Sequence, residues 1–424
     1  MSTLVVTNDF PPRTGGIESF VHAVSRRLAA LAAEEAAGEG SGGGGPVVVH
    51  TAAQRGAAAV DAALAAAGVT VVRDPSPLLV PTPGVVRRVV RTARRHGADR
   101  VWYGAAAPLA LMAPALRAAG VRHQVATTHG HEVWWSSLPG SRAALRRIGE
   151  SVDTVTYLGA WTRSRVERPL TPAARARARR LTPGVDVDVF RPGCGGDAVR
   201  ARHGLTGRPV VVCVSRVVAR KGQDVLVRAW PRVRAAVPGA ALLLVGDGPH
   251  RRRVEALVDE LGLRGDVVLT GRVPWEETPA HYDAGDVFCM PTRTRLAGLE
   301  PEALGICYLE AAACGLPVVA GDSGGAPDAV LTPAAGTVVD GRDVRAVADA
   351  VVAWLADPAA ARAAGAAGRA WVAREWGWDV QTRRLRDLLA GRDPGDGPAD
   401  PGGAGPGGAG GAGGDVSGGR PGRA

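Results

Sequence analysis

Short runs of β-branched and aliphatic residues alternate with stretches of helix length along most of this chain, in two successive series. The first series predicts strands over 3–7, 46–50, 69–73, 100–103, 124–128 and 154–158, and the second over 210–215, 241–246, 266–270, 286–290 and 317–320. Strands separated by helices assemble into parallel sheets with helices on both faces. The pattern therefore predicts an α/β protein of two Rossmann-like doubly wound domains, with ligands in the cleft between them.

The chain has 424 residues, which is enough for two domains of roughly 100–200 residues and a tail. We place the N-terminal domain over 1–182, the C-terminal domain over 183–370, a helical segment over 371–390 and a Gly/Pro-rich tail over 391–424. The tail lacks apolar periodicity, so we expect it to be disordered, and the glycine-rich segment over 37–45 predicts a flexible surface loop.

The net charge and the cysteine content indicate which partners and which compartment to expect. The net charge of +10 favours anionic partners such as nucleotides, lipid head groups or nucleic acid. The five cysteines have no spacing typical of disulfides or metal sites, which favours a reducing compartment. The longest apolar stretch, over 101–116, contains proline and is shorter than the roughly 18–20 residues of a transmembrane helix, and the N-terminus shows no signal-peptide pattern. We expect a cytoplasmic protein whose membrane contact is at most peripheral.

Two carboxylates stand eight positions apart in the segment over 293–330, Glu302 before a predicted helix and Glu310 within it. Eight positions span about two turns of helix, roughly 12 Å, so both side chains can line one side of a cleft. A helix entered through Leu304 and Gly305 also directs backbone N–H groups into that cleft, which suits a phosphorylated ligand rich in hydroxyls. The spacing alone leaves open the alternative of a solvated helix face.

Two other segments have the composition of diphosphate-binding turns. Gly15 and Gly16 follow the first predicted strand and precede a helix, where glycine lets the backbone approach a phosphate closely. Arg216 and Lys221 flank the turn after the first strand of the second domain, and both can balance charge on a leaving diphosphate. The alternatives are a plain turn at the glycines and solvated basic side chains, which is how we interpret Arg220.

The sequence indicates no metal site and no cofactor. Asp186 and Asp188 form an Asp-x-Asp sequence of the kind found in metal sites, but they lie in the linker between the domains, where we do not expect a metal ion. His129 and His131 follow a predicted strand but have no third ligand at a suitable spacing, so we expect no metal there either.

Five segments carry a family likeness. They are VTNDFPPRTGGIESF over 6–20, THGHE over 128–132, PGVDVDVFRP over 183–192, VSRVVARKGQD over 214–224, and the stretch from Glu302 through Gly315-Leu316-Pro317 to Gly324-Gly325. Together they resemble the retaining glycosyltransferases of family 4 with the GT-B fold, and in particular the actinobacterial GDP-mannose-dependent mannosyltransferases that act on phosphatidylinositol mannosides. The chain departs from that pattern at Ala303 and Cys307, where a glycine and a small aliphatic residue are expected.

The resemblance implies a role for each candidate residue. It assigns donor binding to Gly15, Gly16, Arg216, Lys221, Val273, Glu302, Leu304, Gly305, Ile306 and Glu310, and catalysis to His129, Glu302, Arg216 and Lys221. Glu310 would bind the ribose of the nucleotide, Glu302 the sugar ring, and the main chain at Val273 the nucleobase. His129 would lie near the transferring sugar and the acceptor, with His131 as a second candidate. The N-terminal domain would hold the acceptor, and the terminal helical segment would cross back to it.

The activity that the resemblance implies is transfer of mannose from GDP-mannose to a glycolipid of the phosphatidylinositol mannoside type. The enzyme would form an α-1,6 linkage and retain the anomeric configuration by a front-face path without a metal ion. Glu302 acting as a covalent nucleophile is the mechanistic alternative. Competing hypotheses are a family 4 enzyme with another donor or a soluble acceptor, a nucleotide-sugar epimerase, and a basic nucleic-acid-binding protein. We expect no nucleic-acid partner, because no recognised binding module is present.

Basic residues cluster on one face of the predicted helix over 84–96. Arg87, Arg88, Arg91, Arg94 and Arg95 share one arc of the helical wheel, and Val85, Val86, Val89, Val90 and Ala93 share the opposite arc. The apolar arc is expected to pack on the sheet and the arginines to face outward. Near an anionic leaflet each of them contributes about 1 kcal/mol, which suits peripheral contact with the inner face of the plasma membrane. The alternative is a solvated face in an arginine-rich protein.

Overall fold

The computed structural model describes residues 2–37, 45–130, 132–136 and 138–395. Most of the predicted loop over 37–45 and the tail from 396 onward lie outside the described residues. The described chain forms two α/β domains, each built on a parallel sheet. The predicted fold class is confirmed.

The first domain contains seven strands among the described residues. They are β1 (Ser2–Thr7), β2 (Val47–Ala52), β3 (Val69–Asp74), β4 (Ala98–Tyr103), β5 (His123–Thr127), β6 (Thr154–Tyr157) and β7 (Arg179–Arg180). The helices are α1 (Gly16–Ala37), α2 (Ala58–Ala66), α3 (Pro83–Arg95), α4 (Ala113–Ala118), α5 (Glu132–Trp135), α6 (Pro139–Ser151), α7 (Ala160–Val166) and α8 (Pro172–Ala176). The strand order β3-β2-β1-β4-β5-β6-β7 reverses direction between β1 and β4. Such a switch point opens a crevice at the carboxyl ends of the two strands.

The second domain repeats this design with six strands. They are β8 (Val210–Val214), β9 (Ala241–Val245), β10 (Val267–Gly271), β11 (Val287–Met290), β12 (Val318–Gly321) and β13 (Gly336–Val339). Helices α9 (Gly196–Arg202), α10 (Gln223–Ala236), α11 (Arg251–Glu260), α12 (Thr278–Asp283), α13 (Ile306–Ala313), α14 (Val344–Ala356) and α15 (Pro358–Glu375) surround them, and α16 (Trp378–Leu389) follows. The order β10-β9-β8-β11-β12-β13 has its switch point between β8 and β11. In the described part of the chain, no helix is both long and apolar enough to cross a bilayer.

All eleven strands predicted from the sequence are present, with ends that differ by at most two residues. Strands such as β8 and β9 are buried along their whole length, which explains their continuous apolar runs in a sheet covered on both faces. The sequence analysis misses β7 and β13, which lie at the edges of the two sheets. These two strands are only two and four residues long, too short for a periodic signal.

The last helix, α16, returns to the first domain and packs there. Its Leu385, Leu388 and Leu389 are buried in the apolar core of the first domain. At the start of the helix, Trp378 stacks on Phe20 of α1 with ring centroids 6.1 Å apart. The helix therefore attaches the end of the second domain to the first domain through apolar contacts.

The boundary before this crossing helix differs from the expected one at 370. Trp371 and Trp376 are buried in the core of the second domain, so α15 continues to Glu375 and the crossing helix begins at Trp378. The interdomain linker runs beside this point, where the N–H of Val185 donates to the carbonyl of Trp376 at 2.8 Å. The two segments that connect the domains, the interdomain linker and the start of α16, are therefore adjacent.

Loops of the two domains also meet across the cleft. At the start of α7, the N–H of Trp161 donates to Oδ2 of Asp328, from the second domain, at 3.1 Å. The loop after β5 approaches the loop before α13 so closely that a Cβ on Gly130 would lie 2.7 Å from Cβ of Ala303. The segments that carry His129 and Glu302 are therefore neighbours.

We expect Leu385→Ala to lower the free energy of unfolding by about 2–5 kcal/mol, because it removes a fully buried leucine and leaves a cavity. Leu385 is 0% exposed. Denaturant unfolding followed by circular dichroism measures the change. Arg383→Ala, at an exposed position of the same helix, is the matched control and should stay within about 0.5 kcal/mol of the wild type. Equal stability of the two variants would contradict the packing of α16 on the first domain.

Candidate active site

Glu302 lies in the loop before α13 and is almost completely buried, with 9% of its side chain exposed. Its Oε2 atom is 2.8 Å from Nζ of Lys221 and 2.5 Å from Nη1 of Arg220. Both cations belong to the turn between β8 and α10. Its other oxygen, Oε1, has no partner among the described residues, so it can accept a hydrogen bond from a ligand.

Arg220 is therefore not the solvated side chain that the sequence analysis predicts. Its side chain is 27% exposed and is directed to the buried carboxylate of Glu302. The two residues are 82 positions apart, so no local sequence pattern indicates the pair. Arg220 is a functional candidate that sequence reasoning misses.

The charges at this carboxylate stabilise one another. Burial favours the neutral form of Glu302, but the positive charges of Lys221 and Arg220 outweigh burial and hold the pKa of Glu302 below its usual range. Burial also disfavours the charged form of Lys221, yet the carboxylate of Glu302 raises the pKa of this lysine. Glu302 is thus ionised near neutral pH and acts as a hydrogen-bond acceptor.

The main chain of the loop that carries Glu302 is in close contact with the main chain of the segment after β12. The N–H of Glu302 donates to Oγ of Ser323 at 3.2 Å, and the N–H of Gly325 donates to the carbonyl of Glu302 at 2.8 Å. A Cβ on Gly325 would lie 2.2 Å from the carbonyl oxygen of Ala303, so a side chain would push the two loops apart. The glycine after β12 therefore positions the carboxylate.

Glu310 lies in α13 and is partly exposed. The hydroxyl of Tyr282 in α12 donates to Oε2 of Glu310 at 2.7 Å. Burial raises the pKa of Glu310, and the hydrogen bond from Tyr282 opposes this shift. The sequence analysis misses Tyr282, because 28 positions separate it from Glu310. The two glutamates thus have different partners and different electrostatic surroundings.

The N-terminus of α13 offers backbone donors beside Glu302. The helix begins at Ile306 after Gly305, whose φ of 84° turns the chain into the helix. The N–H groups of Leu304, Gly305 and Ile306 have no acceptor among the described residues. An anion at this position would meet unpaired N–H groups and the positive end of the helix dipole.

The other predicted diphosphate residues lie at the corresponding strand ends. Arg216 is exposed after β8, and its side chain has no ion-pair partner in the described ranges. Its backbone is fixed by Gln223, whose Nε2 donates to the carbonyl of Arg216 at 3.1 Å. Gly15 and Gly16 are exposed where α1 begins, in the first domain. The guanidinium of Arg216 is therefore available to an anionic ligand.

His129 follows β5 and is anchored to its own domain. Its Nε2 is 2.5 Å from the carbonyl oxygen of Gly104, and because a carbonyl only accepts, this nitrogen carries the proton. Its backbone N–H donates to Oε2 of Glu132 at 2.9 Å. His131 lies outside the described residues. No group of three or more His, Cys, Asp or Glu residues in the described ranges is arranged to hold a metal ion.

Val273 follows β10 and is partly buried against the core of the second domain. The strand ends around it are tied together, since the N–H of Gly246 donates to the carbonyl of Gly271 at 2.9 Å. Val273 therefore stands at the carboxyl end of a strand, as predicted. Its role in binding a nucleobase stays a prediction.

The basic helix α3 presents four of its five predicted arginines to solvent. The exposed residues are Arg87, Arg91, Arg94 and Arg95. Arg88 is the exception, because its Nε and Nη2 donate to the fully buried carboxylate of Asp74 at 2.7 and 2.9 Å. Burial raises the pKa of Asp74, but the hydrogen bonds from Arg88 and its neighbours hold that pKa well below the usual range. Arg88 therefore stabilises the first domain and is not part of an outward basic face.

Comparisons with known proteins agree with this geometry. The family model described as Glycosyl transferases group 1 matches residues 197–371. The chain is 49% identical over 390 residues to the GDP-mannose-dependent alpha-(1-6)-phosphatidylinositol monomannoside mannosyltransferase of Mycolicibacterium smegmatis, covering 92% of this chain and 98% of the relative. It is 43% identical over 390 residues to the GDP-mannose-dependent monoacylated alpha-(1-6)-phosphatidylinositol monomannoside mannosyltransferase of Corynebacterium glutamicum, covering 91% and 97%. Its fold is similar to that of Anabaena Alr3699/HepE in complex with UDP, with a TM-score of 0.72, 19% identity, and coverage of 92% and 100%.

We expect Glu302→Gln to destabilise the protein by about 3 kcal/mol near pH 7, because Lys221 then stays buried without its counter-charge. The folded-state pKa of Glu302 lies below its usual value of 4.5. Its stabilisation is therefore fully present above that value and is lost as the pH falls through the folded-state pKa. The difference between wild type and variant should therefore shrink as the pH falls below about 4.5.

Denaturant unfolding at a series of pH values measures this difference. Glu276→Gln, at an exposed carboxyl without an ion pair in the described residues, is the matched control and should leave the profile unchanged. A wild-type and a Glu302→Gln profile that run parallel from neutral to acid pH would show that the carboxylate is not stabilised by its neighbours.

Proposed function

The chain belongs to the group 1 glycosyl transferases and, among them, to the family of the GDP-mannose-dependent phosphatidylinositol monomannoside mannosyltransferases, and from this we propose its reaction. The enzyme transfers mannose from GDP-mannose to a phosphatidylinositol mannoside glycolipid, forms an α-1,6 linkage and retains the anomeric configuration. The observation that carries the proposal is the identity of 49% along 390 residues, nearly the full length of both chains.

Donor binding is assigned to the groups around the second-domain switch point. Arg216 and Lys221 balance the charge of the diphosphate, and the N–H groups at the start of α13 add hydrogen bonds to it or to the sugar. Glu310 binds the ribose hydroxyls, and the main chain at Val273 binds the base. Gly15 and Gly16 allow the backbone of the first domain to approach the diphosphate. This set supports a donor site in which side-chain cations take the place of a metal ion.

Glu302 orients the sugar and does not form a covalent intermediate. Two cations contact its Oε2 atom at 2.8 and 2.5 Å, which stabilises the carboxylate and weakens it as a nucleophile. Its Oε1 atom can accept a hydrogen bond from a sugar hydroxyl. The same carboxylate keeps Lys221 in place for the diphosphate. Glu302 thereby aligns the two ends of the bond that breaks.

The transfer step follows a front-face path. A hydroxyl oxygen of the acceptor attacks the anomeric carbon on the side where the diphosphate leaves, and the bond from that carbon to the diphosphate oxygen breaks. The hydroxyl proton passes to the leaving oxygen, so the products are GDP and the mannosylated lipid. His129 lies on the facing domain beside the Glu302 loop, where we assign it to the sugar and the acceptor.

Peripheral contact with an anionic membrane at the inner face of the plasma membrane completes the proposal. Arg87, Arg91 and Arg94 are exposed on α3. In the segment before this helix, Leu78 and Val80 are 52% and 45% exposed. Basic side chains beside exposed apolar ones favour an anionic lipid surface, to which each charge contributes about 1 kcal/mol. This surface would bring the enzyme to a lipid acceptor.

The first test measures GDP release from GDP-mannose, with UDP-glucose as the comparison donor, in the presence and absence of vesicles that contain phosphatidylinositol monomannoside. We expect release from GDP-mannose to depend on the vesicles and to yield a dimannosylated lipid. Release stimulated only by soluble sugars would point to a different acceptor, and an altered sugar nucleotide without transfer would identify an epimerase. Either result would overturn the proposal.

We expect Arg216→Ala to lower turnover roughly 10²–10³-fold, because it removes a charge-assisted contact to the leaving diphosphate. The turnover number under saturating donor is the measurement. Arg228→Ala, which removes the same charge from an exposed position of α10, is the control and should keep wild-type turnover. Equal turnover numbers for the two variants would contradict the role of Arg216 and would indicate that it is a solvated side chain.

A further inference from the structure

A basic pocket opens on the flank of the first domain, outside the cleft described above. It has a volume of about 400 Å³ and lies between α6 and the segment that leads into α8. Its lining includes the four arginines Arg142, Arg146, Arg168 and Arg175, and no carboxylate. None of the residues assigned to the donor or to catalysis contributes to it. The pocket is therefore a separate concentration of positive charge with a defined shape.

Two of the four arginines are already engaged. Arg175 donates through Nε to the carbonyls of Glu167 and Leu170, at 2.7 and 3.0 Å, and through Nη2 to the carbonyl of Arg168, at 3.1 Å. These bonds hold one wall of the pocket in place. Arg146 forms an exposed ion pair with Glu150 at 3.1 Å.

The other two arginines, Arg142 and Arg168, line the pocket from different segments. Arg142 stands on α6 and Arg168 follows α7, and both are exposed. Neither side chain has a hydrogen bond or ion pair to another described residue. Two guanidinium groups without counter-charge at one concave site suit a phosphate group, because arginine binds phosphate with paired N–H donors.

We propose that this pocket binds the phosphate of an anionic phospholipid head group. The volume is large enough for a phosphodiester with its attached polyol. Leu138, at the start of α6, is 67% exposed, and its carbonyl accepts the backbone N–H of Arg142 one turn later. An exposed leucine one turn from an anion-binding arginine places an apolar side chain where acyl chains would begin, and this favours a lipid over a free phosphate.

The test uses the full chain and three single variants. Arg142→Ala and Arg168→Ala remove the two unpaired charges from the pocket, and Arg147→Ala removes an exposed charge from α6 that does not line it. Binding of soluble glycerophosphoinositol is measured by calorimetry. Binding to vesicles of phosphatidylcholine with phosphatidylinositol is measured by co-sedimentation. Denaturant unfolding followed by circular dichroism is the control for folding, and the free energy of unfolding should stay within about 0.5 kcal/mol of the wild type in all three variants.

We expect one glycerophosphoinositol per chain, and about fivefold weaker binding to both the soluble head group and the vesicles for Arg142→Ala and for Arg168→Ala. Arg147→Ala should keep wild-type affinity for the soluble head group. Equal losses in all three variants would show diffuse charge attraction and overturn the pocket. Loss of soluble binding with unchanged vesicle binding would assign the pocket to a free phosphorylated compound and overturn the lipid assignment. Because both binding assays are carried out without GDP-mannose, neither result depends on the proposed reaction.

Discussion

A buried carboxylate between two cations is the interaction on which the candidate site in the second domain depends. An unpaired carboxylate in a protein interior is unfavourable by several kcal/mol, and Lys221 and Arg220 offset that cost for Glu302. The turn after β8 and the loop before α13 must therefore stay together, although Arg220 and Glu302 are 82 positions apart. Glycine after β12 permits the close backbone approach that the pairing requires. The groups assigned to the diphosphate and to the sugar thus form one electrostatic unit.

The connection between the domains reaches the same site through one aromatic side chain. Phe20 contacts the ring of His129 edge-on, with centroids 5.3 Å apart, and stacks on Trp378 at 6.1 Å. The histidine on the facing domain therefore packs against the same phenylalanine as the crossing helix α16. Since α16 follows directly on α15 of the second domain, the position of that domain and the environment of His129 are physically linked.

Local pattern accounts for most of the fold and for only part of the site. The buried strands are continuous apolar runs and are all predicted, whereas β7 and β13 are too short to show a period. The errors in the site concern charge. A helical wheel predicts that Arg88 is solvated, but its partner Asp74 lies 14 positions away in the chain. Arg220 is likewise predicted to be solvated, but its partner Glu302 lies 82 positions away. The hydrophobic periodicity of a sequence predicts which face of a helix is polar. It does not predict whether a buried carboxylate from another segment lies opposite that face.

The order of residues was sufficient to specify two parallel α/β domains, the glycines at their strand ends and the two carboxylates beside one helix start. These features depend on backbone preferences and on periods of a few residues, which are properties of short segments. Packing in three dimensions decided that Oε2 of Glu302 takes both cations, that Arg88 turns inward to Asp74, and that α15 continues to Glu375. The reason is that burial and Coulomb attraction act between residues distant in the chain, and their strength depends on how much water the completed fold excludes.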